Sequence, residues 1–541
     1  MDLLAAPAST APAEPVTTTR ATSMRALLVG FTVSMSVPAF AGGMFLPGIG
    51  PRGQARAGAM VADANEPIAL AYNPAGIAKL DGTHLQVGIN LVDFWLTYHR
   101  AGVYEPTAYG HDYEGQDFPT TQDASNPSFG IVGFQAIPTL VATTDFGWSL
   151  PVRIALGFWA PQVYGNRAYA EQHKIAGAAE LAPGPQRYDT VNQDVLAGMP
   201  SLAVSYSPTD WMDIGLRLTW GFVAFDADTV VWGVQNPAEA VERDSNVALS
   251  VSDTFVPGLA LGALVRPTNH LEIGLSYSAP MPVDAVGTTQ ATVGSDVGLP
   301  GVVEVIEPTD AGHTRCAEGG TISALKACIN LTLPQTASMG ARWIWRSGSR
   351  EQADVEVDVL WEDWTAGSTY DITIDGKSGT TGINLHPVEL RHSANDVWSL
   401  RLGGAYHHSL DNDDILSFRA GAAYDTAAVA DSWSRVDFDG AARITLAGGI
   451  GLTMGRFAIE VGGGIVLEPN RTVEICAPPY GPSSASPGCT GSGSESVVAN
   501  RSFPDPSQPL EPASAQAESP FNAGEYASGY YLLNVGVRMA L

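Results

Sequence analysis

From Thr83 to Leu541 the chain repeatedly alternates apolar and polar residues, in short runs separated by clusters of Gly, Pro, Asn, Asp and Ser. A period of two is what a β-strand needs when its two faces meet different surroundings. The first run places Leu85, Val87, Ile89 and Leu91 on one face. The last places Tyr531, Leu533, Val535, Val537, Met539 and Leu541 on one face, with Asn534, Gly536, Arg538 and Ala540 on the other. Further runs begin near Ser128, Ser149, Tyr188, Trp211, Asn246, His270, Ile329, Ala353, Asp396, Asp414, Asp439 and Arg456. With the run near Tyr526 the total is about 14, an even number, as bacterial membrane barrels have.

The connections fall into two classes that alternate along the chain. Short turns are Asp145-Phe146-Gly147, Pro208-Thr209-Asp210, Pro267-Thr268-Asn269, Ser347-Gly348-Ser349, Asp411-Asn412-Asp413 and Gly455. Long polar segments lie near 100–127, 165–187, 234–245, 291–328, 366–395, 426–438 and 476–525. A membrane barrel has this asymmetry, with short periplasmic turns and long extracellular loops. Aromatic residues near the predicted strand ends (Phe94, Trp95, Tyr98, Trp343, Trp345, Trp361, Trp364, Tyr530 and Tyr531) suit interfacial girdles. The pattern predicts an all-β fold: a transmembrane antiparallel β-barrel of about 14 strands over residues 83–541.

Composition agrees with that reading. Only 16% of the 541 residues are charged, against about 25% in a typical soluble domain. After residue 41 no apolar run reaches the roughly 18 residues of a membrane-spanning helix. A membrane protein without such helices must close its strands into a barrel, because lipid offers no hydrogen-bond partners. A net charge of -28 argues against nucleic acid as a partner, whose phosphates would repel it.

The N-terminus reads as two parts. Residues 1–41 form a signal region: Met24-Arg25, an apolar run from Ala26 to Val37, then Pro38-Ala39-Phe40-Ala41 with small residues where a signal peptidase reads. Cleavage is expected after Ala41, and the polar Met1–Ser23 reads as a start-site artefact or a long n-region. Residues 42–82 are rich in small residues and lack strand alternation. They are expected to plug the barrel lumen.

Within the plug stretch stand Arg56-Ala57-Gly58-Ala59 and Tyr72-Asn73-Pro74-Ala75-Gly76. In this position the sequence resembles the FadL family of outer-membrane transporters for long-chain fatty acids and other hydrophobic compounds. Asn73, Pro74 and Ala75 match that family's Asn-Pro-Ala motif. The resemblance implies a 14-stranded barrel holding an N-terminal hatch, and passive uptake of a hydrophobic small molecule. It implies capture by extracellular loops and movement of the hatch N-terminus (Gly42, Gly43, Met44, Phe45 and Leu46). Exit is then sideways into outer-membrane lipid through a kinked third strand. In that strand Ala155-Leu156-Gly157 and Pro161 resemble the family pattern, so Gly157 and Pro161 are the candidate lateral gate; Pro in a strand removes a ladder donor. Long-chain fatty acid is the expected substrate, with aromatic hydrocarbons next. A non-transporting adhesin or structural barrel is the alternative of another class, but it has no need of a hatch. The family implies a monomer in the outer membrane of a Gram-negative bacterium.

The last strand also resembles the signal read by barrel-assembly machinery, through Asn534, Gly536, Met539 and Leu541. The four cysteines form two close pairs, Cys316/Cys328 and Cys476/Cys489, expected as loop disulfides in an exported protein. No enzyme motif, cofactor site or metal site is expected: GxSxG, HExxH and Walker patterns are absent, and His407 and His408 point to opposite strand faces. Gly48-Ile49-Gly50-Pro51-Arg52-Gly53 fits GxGxxG, but no strand precedes it and Pro51 is expected to spoil a turn into a helix.

Overall fold

Alternating residues build strands whose apolar face points away from the protein, and these strands close on themselves. The computed structural model describes residues 43–231, 239–296, 306–308, 325–378, 388–392, 394–410, 413–438, 440–474, 497–498 and 522–541. Among them a closed antiparallel barrel of 14 strands is formed. The strands are β1 (His84–Arg100), β2 (Phe134–Thr144), β3 (Val152–Phe158), β4 (Asn192–Gly198 and Ser201–Thr209), β5 (Met212–Val231), β6 (Ser245–Thr268) and β7 (Leu271–Ser278 and Met281–Val293). They continue as β8 (Leu325–Leu333 and Thr336–Ser347), β9 (Arg350–Glu362, extended by Thr369–Ser378), β10 (Val388–Arg391 and Val397–Ser409), β11 (Ile415–Asp425), β12 (Arg443–Met454), β13 (Phe457–Leu467) and β14 (Gly524–Ala540). Each pairs with its neighbour, and β1 closes the ring on β14 from His84↔Ala540 to Arg100↔Gly524.

Register explains the face pattern. Leu140, Leu156, Leu202, Leu400, Tyr531, Leu533, Val535 and Val537 are exposed on the outer wall, whereas Gln86, Asn90, Arg217, Arg342, Glu356, Arg401, Glu460 and Asn534 are buried inside. An apolar exterior around a polar interior is the inverse of a soluble sandwich and fits a bilayer. Among the described residues no helix is long and apolar enough to cross a membrane.

Several strands exceed the roughly 9–11 residues that cross a bilayer; β6 has 24. Their far ends stand beyond the lipid at the long-loop end. Three of the interruptions coincide with prolines, which cannot donate to the ladder. Pro200 divides β4, and Pro280 and Pro334 divide β7 and β8 side by side, between Ser278↔Thr336 and Met281↔Leu333.

Two expectations are corrected. The aromatics do not all form girdles. Trp95, Trp343, Trp345 and Tyr531 are exposed outside, but Phe94, Tyr98 and Tyr530 are buried inside, because neighbouring residues of a strand face opposite sides; Trp364, also buried, starts a 3₁₀ turn outside the strands. Pro51 does not prevent a helix. It occupies the first turn of α1 (Gly50–Ala55), where its missing N–H costs nothing.

Candidate functional site

The N-terminal segment Gly43–Gly82 precedes β1 and is buried against inward-facing wall residues from around the ring. It contains α1, a second short helix α2 (Ala69–Tyr72) and a 3₁₀ turn (Pro74–Lys79). Such short pieces have little stability of their own, so the wall must hold them.

Arg56 is the central anchor. Its guanidinium donates to Asp354 Oδ1 at 2.6 Å and Glu356 Oε2 at 3.0 Å, and all three side chains are fully buried. Glu356 Oε1 accepts the Ala62 N–H at 2.7 Å, and Asp358 Oδ2 accepts the N–H groups of Met60 and Val61 at 2.9 and 3.1 Å. The three carboxylates are alternate residues of β9, so all face the lumen. Asp63 is shared by Arg52 at 2.6 Å and Arg342 at 3.1 Å. Burial alone would raise the Asp63 carboxyl, yet Arg342, Arg52 and Arg56 hold it well below the ordinary range. Glu66 behaves oppositely: burial, then the neighbouring Glu460 carboxylate, push it up to about 7. It accepts a hydrogen bond from Gln86 Nε2 at 3.1 Å.

The Asn73-Pro74-Ala75 motif is a second anchor. Asn73 Oδ1 accepts the Ala75 N–H at 3.1 Å, capping the 3₁₀ turn. Its Nδ2 donates to Val61 O at 2.9 Å and to Ala263 O of β6 at 3.1 Å. The wall comes so close here that it carries glycines. A Cβ on Gly262 would lie 2.2 Å from Asn73 Oδ1, and one on Gly215 would lie 2.3 Å from Ala75 N.

The third strand stops early. β3 ends at Phe158, opposite Leu140 of β2. From Trp159 to Asn166 the chain leaves the wall and turns inward, with Trp159, Ala160, Gln162, Tyr164 and Asn166 buried. Pro161 lies in this inward segment. Gly157 is still strand-paired, with Val141 and Ser201, and a Cβ on it would meet Leu70 of α2 at 2.6 Å. Trp159 O still accepts the Met199 N–H at 2.7 Å and Arg167–Ala168 pair again with Gln193 and Asn192 of β4, so only between Trp159 and Arg167 do the edges of β2 and β4 lack a strand between them. This side opening faces an apolar cluster in the lumen that includes Val92, Phe94, Ile137, Ala160, Tyr164, Tyr169, Val436, Tyr526 and Tyr530.

Leu46 fills that cluster. Its N–H donates to Gln162 O of the inward segment at 2.8 Å. On the other side Arg443 Nη1 donates to Gly43 O at 2.7 Å and Nη2 to Phe45 O, and the Phe45 ring lies 5.2 Å from that of Trp364. Met44 packs beside the same aromatic group. Gly42 lies outside the described residues.

The remaining sequence candidates are scattered. Cys328 is disulfide-bonded, but it lies in a strand, within Leu325–Leu333, rather than in a loop. Cys316, Cys476 and Cys489 lie outside the described residues. Asn534 and Gly536 are buried in β14, Met539 follows on the same strand, and Leu541 hydrogen-bonds Thr83 O at 2.8 Å. Glu351, Asp354 and His407 bring donor atoms within 4.8 Å of one another. Arg342 already contacts both carboxylates, so this group is an ion-pair network. The pattern Asp354-Val355-Glu356-Val357-Asp358 was the missed signal for the Arg56 anchor. Three acids on one strand face inside a barrel require cations or N–H groups opposite.

The family model described as outer membrane protein transport protein (OMPP1/FadL/TodX) matches residues 32–453. The chain belongs to that family. Its members are outer-membrane transport proteins of Gram-negative bacteria. A search of curated proteins found no match. Among solved structures, a FadL homologue from Pseudomonas aeruginosa is similar with a TM-score of 0.65 at 16% identity, covering 93% of this chain and 100% of that one. The Ralstonia pickettii toluene transporter TbuX reaches 0.55 at 12% identity, covering 91% and 99%. The Pseudomonas putida toluene transporter TodX reaches 0.55 at 12%, covering 92% and 98%. At these identities the likeness concerns the fold. It agrees with the barrel read from the sequence.

Proposed function

We propose that this protein takes up long-chain fatty acids passively across the outer membrane, and that they leave sideways through the break after Phe158. The observation that carries this reading is the meeting of three features at one place: an interrupted strand, an apolar lumenal cluster behind it, and the N-terminal segment seated in that cluster. A water-filled pore needs none of them. An apolar solute needs all three, because a dry path into lipid spares it the aqueous periplasm.

In this mechanism the segment Gly43–Gly82 is the hatch, and Gly43–Leu46 is its mobile tip. Substrate collected by the loops displaces Leu46 from the aromatic cluster. The tip's bond to Gln162 couples that movement to the inward segment of the wall, which carries Pro161. The hatch body stays docked through Arg56 and Asn73. The chain is exported by a signal cleaved after Ala41, folds through an assembly signal in β14 and works as a monomer.

Aromatic hydrocarbons are the second reading, favoured by the toluene transporters among the similar structures. Uptake of radiolabelled oleate and toluene by cells expressing the protein, against an empty vector, tests both. Oleate uptake above vector supports the first, and toluene uptake alone supports the second. Neither, with a heat-modifiable barrel present, supports the adhesin reading.

A further inference from the structure

The side opening has an unusual rim. The chain just before β2 forms a small hairpin, in which Gly130 and Ile131 pair with Gln135 and Phe134. Gln135 also pairs with Val92 of β1 on its other side. The hairpin therefore lies on the edge of β2 that β3 leaves free. Ala136 donates its N–H to Phe129 O at 3.1 Å across this edge. The hairpin thus roofs the opening, and two contacts carry it across to β4. Ser128 N–H reaches Asp194 Oδ2 at 3.3 Å, and Gln135 Nε2 reaches Val195 O at 3.5 Å.

Its tip is apolar and uncovered: Val132 is 95% exposed, with Phe129 and Ile131 about half exposed. Local geometry does not ask for this. Val132 and Gly133 have φ of 52° and 85°, the left-handed pair of a two-residue hairpin turn that favours Asn-Gly. A β-branched residue is strained there. The strands around the opening also expose Leu140, Leu156 and Leu196. Register puts its base, Gln135 opposite Val92, one step below the pair Asp93↔Tyr531, whose tyrosine faces outward. The tip therefore stands at the outer edge of the lipid-facing belt.

Below the hairpin the edge also offers no free N–H. Because the Ala136 N–H points into the opening, so would that of the residue two further on. That residue is Pro138, which has none. The next in the row, Leu140, is already paired with Phe158. The free edge of β2 thus carries no unpaired N–H facing the gap.

We propose that the hairpin from Ser128 to Phe134 is a lipid-immersed lip of the side opening. Its tip contacts acyl chains of the outer leaflet, and the emerging apolar substrate passes from the lumen to those chains along it. Pro138 removes one N–H donor from the β2 edge of the passage. This inference rests on sideways exit.

The test uses the full-length protein in vesicles. Val132→Cys, Leu156→Cys and Asp112→Cys variants are labelled with bimane, with the wild type as the labelling blank, and quenching by brominated phospholipid is measured. The label at Val132 is expected to quench as strongly as that at Leu156, and the loop label at Asp112 weakly. In cells, Val132→Asn suits the turn better than valine and is expected to leave the heat-modifiable barrel intact, yet to lower oleate and toluene uptake several-fold. Weak quenching at Val132, or unchanged uptake by Val132→Asn while a variant with the third strand made continuous is impaired, would overturn the proposal. If the continuous-strand variant takes up substrate normally, sideways exit itself fails, whatever the quenching shows.

Discussion

The backbone N–H of Leu46 donates to the carbonyl of Gln162 at 2.8 Å. One hydrogen bond thus joins the tip of the N-terminal segment to the stretch of third strand that has left the wall. Leu46 packs among Val92, Phe94, Ile137, Ala160 and Tyr164 at this joint. Truncation to Ala removes buried contacts worth about 2–5 kcal/mol. The expected outcome is a looser tip and a faster initial rate of oleate uptake, with the barrel still heat-modifiable. An unchanged rate would mean that withdrawal of the tip does not limit transport.

Arg56→Ala would leave Glu356 buried without its cation and Asp354 with Arg342 alone. Breaking a buried pair on one side costs about 3–5 kcal/mol. The wall is held by its own strand ladder, so the loss should fall on docking of the N-terminal segment. Faster hydrogen exchange at Met60–Asp63, with the strands still protected, is expected. Protection unchanged at Met60–Asp63 would show that the backbone bonds to Asp358 suffice.

Gly262→Val tests the Asn73 anchor from the wall side, since even a Cβ there would overlap Asn73 Oδ1. The 3₁₀ turn must shift, breaking the bond to Ala263 O. Increased protease sensitivity between Ala69 and Lys79 is expected in the assembled barrel. Gly448→Ala, where a Cβ would come no nearer than 3.6 Å to another atom, Arg419 O, should not reproduce it.

Glu66 gives docking a pH dependence. Its carboxyl titrates near 4.5 when solvated and is pushed up to about 7 when docked, by burial first and by Glu460 second. The docked state therefore holds its proton more tightly. The contribution of Glu66 to docking is greatest below pH 4.5, weakens as pH rises to about 7 and is level above that, a change of about 3 kcal/mol. Hydrogen exchange of Asp63–Ile68, corrected for intrinsic rates, should show this slope in the wild type and lose it in Glu66→Gln.

The strand ladder was legible because lipid outside and polar groups inside impose a period of two on every strand. Asn73 was legible as a motif, though not its bond to Ala263 O. The Arg56 partners were not, because alternation tells which face Asp354, Glu356 and Asp358 occupy but not which cation crosses 298 or 300 positions to meet them. The inward aromatics Phe94, Tyr98 and Tyr530 were misplaced because residue type was read without the parity of the strand. Pro161 lies in the segment that leaves the wall, and Gly157 lies where α2 comes close to it.

The most direct test of sideways exit is to rebuild the wall. Replacing Trp159–Gly165 with an alternating Thr/Val sequence would let β3 continue between β2 and β4. Uptake of radiolabelled oleate and toluene is then compared among wild type, this variant and empty vector, with heat modifiability as the check on assembly. The account expects uptake above vector for the wild type and uptake near vector for the rebuilt barrel. Equal uptake by the rebuilt barrel would contradict it, because the substrate would then have a path that does not cross the wall.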